Sequence, residues 1–129
     1  MKAVIQRVTE ASVEIEGKIN GEIGSGYLIL LGIEEADEKE DADWLIQKIC
    51  GLRIFSDEEG KMNLSAQDVN GEFLVISQFT LHASTKKGNR PSYIKAARPE
   101  VAIPLYEYFI EELMVKSESK VATGVFVYA

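Results

Sequence analysis

At the start of the chain Val4, Gln6 and Val8 alternate with Ile5 and Arg7, and further on Val13 and Ile15 alternate with Glu14 and Glu16. A period of two predicts half-buried strands. Gly17 falls where that period breaks and predicts a hairpin turn, with a third strand running through Ile19 to Ile23. Gly24 and Gly26 introduce the run YLILLGI, whose continuous apolar character predicts a central strand covered on both faces. In ADEKEDADWLIQKICG the period changes. Asp37 as cap, Glu40 three residues on, acids in the first turn and Gly51 at the end predict a helix. Its broad apolar face is expected to carry Trp44, Leu45 and Ile49, with Ile46 and Cys50 nearby. A short strand LRIF, a polar turn SDEEGKMN and a buried strand FLVIS follow. RPEVAIPLYEYFIEELMVK predicts a second helix, with Pro104 in its first turns and Leu105, Tyr108, Phe109 and Leu113 on one face. The closing KVATGVFVYA is apolar enough for one more strand.

Strands first, helices interleaved and mostly hairpin-length connections predict an α/β domain of α+β character. The expected architecture is a mostly antiparallel, barrel-like β-sheet with two packed helices. A single domain over residues 1–129 is expected, because a chain of 129 residues sustains one core. With 46% hydrophobic and 27% charged residues the composition is that of a folded protein rather than a disordered one. The charged N-terminus lacks the apolar stretch of a signal peptide, and no window approaches the roughly 20 apolar residues of a membrane span, so a cytoplasmic location without membrane association is expected. Cys50 is the only cysteine and reads as a small buried hydrophobe.

Charge changes the picture at one place. The chain carries a net charge of −7, yet Lys86, Lys87, Arg90, Lys95 and Arg98 follow one another with no acid among them. Phosphate neutralisation supplies most non-specific nucleic-acid affinity, so the acidic remainder argues against a general binder. A basic island in a repulsive background accepts a phosphate backbone at that place only. A solvated loop that happens to be basic accounts for the charge equally well.

The island follows the chemistry-bearing stretch of the chain. Where FLVIS emerges, Ser77, Gln78, Phe79 and Thr80 bring two hydroxyls, one amide and free backbone N–H groups within four residues. Such an edge binds a carbonyl or stabilises an oxyanion. SQFT lacks the Gly-x-Ser-x-Gly elbow of hydrolases. His82, the only histidine, shares the face of Thr80 if the strand continues, but no Asp or Glu between Leu74 and Tyr93 orients it as a base. One histidine and one cysteine without clustered carboxylates predict no metal site, and the absence of a phosphate-binding glycine loop predicts no cofactor.

Taken together, AVIQRVTEASVEIEG, LRIFSDEEGKMN, SQFTLHASTKKGNRPSY and PLYEYFIEEL resemble the D-aminoacyl-tRNA deacylase family, often called D-tyrosyl-tRNA deacylase. The match is colinear over nearly the whole chain. The resemblance implies a homodimer with active sites at the interface, and hydrolysis of the ester joining a D-amino acid to tRNA, a proofreading step in translation. Ser77, Gln78, Phe79 and Thr80 match the family's active-site motif, and Gln6 and Arg7 its N-terminal QRV, where the arginine braces the partner motif that checks chirality. Lys86, Lys87 and Arg90 would meet the phosphates of the aminoacyl-tRNA. Thr80 is then either a nucleophile or a positioning group.

One departure stands out. The family's C-terminal Gly-cisPro segment has no counterpart here, since the prolines follow only Arg90, Arg98 and Ile103, and the chain is expected to be truncated at its C-terminus. Arg7 would then have nothing to brace. A catalytically impaired homologue that still binds tRNA or dimerises is therefore an alternative to the active deacylase. A third reading, a small-molecule esterase, is opposed by the basic island.

Overall fold

The central strand of the fold is β4 (Gly26–Gly32). It pairs antiparallel with β1 (Lys2–Val8) on one side and parallel with β7 (Glu72–Ser77) on the other, and β7 pairs parallel with β8 (Val121–Thr123). The structure, a computed structural model, describes residues 1–78 and 96–124. Two small antiparallel sheets complete the β-structure among them: β2 (Ala11–Ile15) with β3 (Lys18–Ile23), and β5 (Phe55–Ser56) with β6 (Met62–Leu64). The helices are α1 (Lys39–Gly51) and α2 (Pro99–Ser117).

The expected antiparallel barrel is not what the described residues form. Two of the three pairings in the main sheet are parallel, and no barrel closes. Parallel neighbours need a crossover connection of a dozen or more residues. Here α1 with the β5–β6 hairpin lies between β4 and β7, and α2 between β7 and β8. Interleaved helices therefore set the strand direction, and hairpins persist only where the chain turns tightly. At the β2–β3 turn both residues take positive φ, Glu16 at 52° and Gly17 at 79°, as a two-residue type I′ turn requires.

Both helices lie against one face of the main sheet. Odd-numbered residues Tyr27, Ile29, Leu31, Phe73 and Val75 point there and pack with Ile46, Ile49, Phe109 and Leu113. The Tyr27 ring stacks on Phe55 at 5.1 Å between centroids and tilts against Phe73 at 5.6 Å. On the other face β3 lies across β7 and β8, and Asn20 Nδ2 donates to the Thr123 carbonyl at 2.8 Å. Leu74 is fully buried there, whereas Leu28, Leu30 and Ile76 are only half-buried and Val4 is 49% exposed. The central strand is thus fully covered on one face and partly on the other, contrary to the continuous apolar run. Gly26 is fixed by close approach, since a Cβ there would overlap the Glu72 backbone.

Helix α1 differs from its sequence reading in phase and cap. Its buried stripe is Ala42, Ile46 and Ile49, and Trp44, at 61% exposure, stands on the other side with the Lys48 ammonium 5.6 Å over its ring. The N-cap is Glu38, whose N–H donates to Asp41 Oδ2 at 2.9 Å. Asp37 is engaged elsewhere, with Oδ1 2.7 Å from the Met1 ammonium and Oδ2 accepting from the Glu34 N–H. In α2 Leu105, Phe109 and Leu113 are buried, and the half-buried Tyr108 donates its hydroxyl to Asp43 of α1 at 2.6 Å. Cys50 is half-buried, and burial pushes its thiol pKa up, as an inert packing residue requires.

Candidate active site at the carboxyl ends of β4 and β7

Because β4 and β7 run parallel, their carboxyl ends emerge together. Ser77 is the last residue of β7 and registers with Leu31, and the Gln78 N–H donates to the Leu31 carbonyl at 2.7 Å. The chain is next described at Ala96, which bridges to Glu34, and the Ala97 N–H donates to the Ile33 carbonyl at 2.8 Å. The intervening segment therefore leaves and rejoins the fold at neighbouring positions along β4 and its extension. Phe79, Thr80, His82, Lys86, Lys87, Arg90 and Lys95 belong to it and lie outside the described residues. Arg98 caps α2 at the point of return, its N–H donating to Glu35 Oε2 at 2.9 Å.

Two supports hold this end of the sheet rigid. Tyr106 of α2 is buried and donates its hydroxyl to the Val75 carbonyl at 2.8 Å, fixing β7 two residues before Ser77. Burial pushes the Tyr106 phenol up to about 12, so it remains a neutral donor. The Met1–Asp37 ion pair, with both side chains almost fully buried, ties the start of β1 to the segment after β4.

Gln6 and Arg7 are not brought to this place within one chain. Arg7 registers with Tyr27, and Tyr27 with Phe73, whereas Ser77 shares its row with Leu31 and Ala3. Four residues separate the rows, ~13 Å along the strands at ~3.3 Å per residue. Strand alternation sends Gln6 and Gln78 to the face away from the helices, and Arg7 and Ser77 to the helix side. Within the chain Arg7 has a partner of its own. Its Nη1 donates to the Ile54 carbonyl at 2.7 Å, beside the 3.4 Å contact from the Tyr27 hydroxyl to the Leu52 carbonyl.

Sequence spacing missed the acceptors at the base of the site, the carbonyls of Leu31 and Ile33, because a backbone acceptor leaves no signature in residue type. Lys2 was missed as well. It registers with Gly32, the residue after Leu31, and so stands at the Gln78 end of the sheet. Among the described residues no group of three or more His, Cys, Asp and Glu side chains is placed to hold a metal ion. No helix among them is long and apolar enough to cross a membrane.

A family profile described as D-Tyr-tRNA(Tyr) deacylase matches residues 4–128. The chain belongs to the D-Tyr-tRNA(Tyr) deacylase family. Its similarity to curated members of the deacylase group is high. It is 63% identical over 126 residues to a D-aminoacyl-tRNA deacylase of Phocaeicola vulgatus, covering 98% of this chain and 84% of that one. It is 60% identical, with the same coverage, to the D-aminoacyl-tRNA deacylase of Bacteroides thetaiotaomicron. Among solved structures, the c-Myc DNA Unwinding Element Binding Protein matches with a TM-score of 0.90 at 40% identity, over 98% of this chain and 85% of that one. A structure described as a probable eukaryotic D-amino acid tRNA deacylase shares the fold, with a TM-score of 0.82 at 14% identity over 98% and 89% of the two chains.

Proposed function

We propose that this deacylase-family chain hydrolyses the ester between a D-amino acid and the 3′-terminal ribose of tRNA, removing mischarged amino acids before they enter translation. The observation that carries the reading is the deacylase match over residues 4–128, with identities of about 60% to enzymes of that name. Relatives this similar carry the enzymatic name, which leaves the impaired-homologue alternative without support.

In the reaction a water oxygen bonds to the ester carbonyl carbon, the bond from that carbon to the ribose oxygen breaks, and a proton passes to the ribose oxygen. The tetrahedral oxyanion needs preorganised donors. Backbone N–H groups around Phe79 and Thr80 serve in that role, following a strand end anchored by the Gln78 to Leu31 hydrogen bond. Ser77 and Gln78 line the approach, and Thr80 positions the water or the ribose hydroxyl rather than attacking. Lys86, Lys87 and Arg90 meet the acceptor-stem phosphates. The reaction needs no cofactor, and aminoacyl-tRNA as substrate puts the enzyme in the cytoplasm.

The enzyme acts as a homodimer with its sites at the interface. Supporting this, Val4, Leu28, Leu30 and Ile76 leave apolar surface on the sheet face away from the helices, between Gln6 at one end and Gln78 at the other. A two-fold axis through such a face sets the Gln6–Arg7 end of one protomer against the Ser77–Gln78 end of its partner. Release of D-tyrosine from D-tyrosyl-tRNA above the buffer rate tests the reading. Hydrolysis of small esters alone, with the tRNA ester untouched, would contradict it.

A further inference from the structure

The end of β7 and the start of α2 are both anchored on one short stretch around the end of β4. The Gln78 N–H donates to the Leu31 carbonyl, Ala96 bridges to Glu34, the Ala97 N–H donates to the Ile33 carbonyl, and the Arg98 N–H donates to Glu35 Oε2. Ala96 and Ala97 are buried at this junction. Leu31 belongs to β4 and is held between β1 and β7. Residues 33–35 lie beyond the last residue of that strand, so a turn has to hold them instead. Asp37 makes that turn. Its N–H donates to the Glu34 carbonyl at 3.1 Å, and its Oδ2 accepts from the Glu34 N–H at 2.7 Å. Its Oδ1 is 2.7 Å from the Met1 ammonium, and its side chain is only 7% exposed.

We infer that Asp37 is a positioning residue for the deacylation: it touches no substrate and fixes the acceptors at 33–35 on which the chain re-enters the fold before α2. The inference rests on the reading of the carboxyl end of β7 as the place of ester hydrolysis. In the sequence Phe79 and Thr80 lie between Gln78 and Ala96, so the stretch that carries them is fastened at its two ends to positions 31–35. The sheet fixes the first of those ends, and the Asp37 turn fixes the second. Loss of the turn shifts the second end relative to the first. A displacement of ~1 Å in a catalytic arrangement costs up to about a hundredfold in rate. Phosphate contacts made by lysines, as point charges on flexible stems, tolerate such a shift. Asp37 therefore acts on the rate constant of the ester cleavage and not on tRNA affinity.

A purely structural role is separable, because glutamate can rebuild the contacts of Asp37 and alanine cannot. A glutamate reaches back to the N–H three residues before it in the same way, as in a capping box. The test compares Asp37→Ala, Asp37→Asn and Asp37→Glu with wild type by three measurements on folded protein. These are single-turnover release of D-tyrosine from D-tyrosyl-tRNA, affinity for uncharged tRNA, and exchange of backbone amides in heavy water. For Asp37→Ala we expect a saturating rate constant about tenfold lower, with tRNA affinity as in wild type. Exchange becomes faster at the Glu34 and Ala97 amides and stays unchanged at Ile29 inside the sheet. Asp37→Glu restores the rate constant and the slow exchange together. An unchanged rate constant in Asp37→Ala, a loss that lies in tRNA affinity, exchange accelerated uniformly or no rescue by glutamate would overturn the inference. Asp37→Asn, which keeps one acceptor oxygen and the side-chain shape, decides by the same split between rate and affinity if alanine prevents folding. Should wild type leave the ester intact, the functional reading falls, and exchange at Ala97 in the variants still decides whether Asp37 holds the turn.

Discussion

Arg7 and Ser77 project from the same face of one sheet, yet their rows are four residues apart, with Arg7 hydrogen-bonded to the Ile54 carbonyl at 2.7 Å and Ser77 paired beside Leu31. No side-chain rotation closes a gap of ~13 Å along the strands. If both ends serve one site, two chains must supply them. Arg7→Ala and Gln78→Ala variants, each impaired alone, are then expected to complement when mixed. Random reassortment gives half heterodimers, each with one intact site, so activity should recover to about a quarter of wild type. Mixed activity equal to the mean of the two variants would show that one chain makes the whole site.

Thr80 is expected to position rather than attack. Thr80→Ser should keep most of the activity, and Thr80→Ala should lose far less than the ~10⁶-fold typical of removing a hydrolase nucleophile. The check is single-turnover kinetics together with mass spectrometry of the quenched enzyme. An aminoacyl adduct on Thr80 would restore the nucleophile reading.

For the basic island, reversal of Lys86, Lys87 and Arg90 to glutamate should weaken tRNA binding and lower its salt slope by about 0.7 to 0.9 for each phosphate that is no longer neutralised. An unchanged slope would mean that the segment is only solvated.

Tyr106 links stability to alkaline pH. Its folded pKa, about 12, exceeds the ordinary phenol value of 10.0 because burial disfavours the phenolate. A raised folded pKa means stability that is fully present below pH 10 and is lost as pH rises from there through 12. Tyr106→Phe should cost about 1 kcal/mol at neutral pH through the lost hydrogen bond to the Val75 carbonyl. It should also flatten the alkaline decline. A remainder persists, because the hydrogen bond to Asp43 also pushes the Tyr108 phenol up to about 12. Urea titrations at pH 7 and across the alkaline window measure both effects, and an alkaline decline as steep in the variant as in wild type would contradict the assignment.

What the sequence made legible was local. The I′ hairpin at Glu16–Gly17 follows from a turn residue tolerant of positive φ, and the stripe of Leu105, Phe109 and Leu113 follows from helical period. Strand direction was not legible, because a period of two is the same for parallel and antiparallel neighbours and only the crossovers through α1 and α2 decide it. Asp37 read as a cap because local spacing cannot see the Met1 ammonium arriving from 36 residues away. At the site, SQFT was legible as a motif and its family as a resemblance. The row joining Lys2, Gly32 and Gln78 was not, since it exists only once three strands have paired.

The most direct measurement is single-turnover deacylation of D-tyrosyl-tRNA with enzyme in excess, following release of free D-tyrosine against the buffer rate. The account predicts first-order release at a rate that saturates with enzyme concentration and lies orders of magnitude above spontaneous hydrolysis. Release no faster than in buffer, from protein shown to be folded and to bind tRNA, would contradict it.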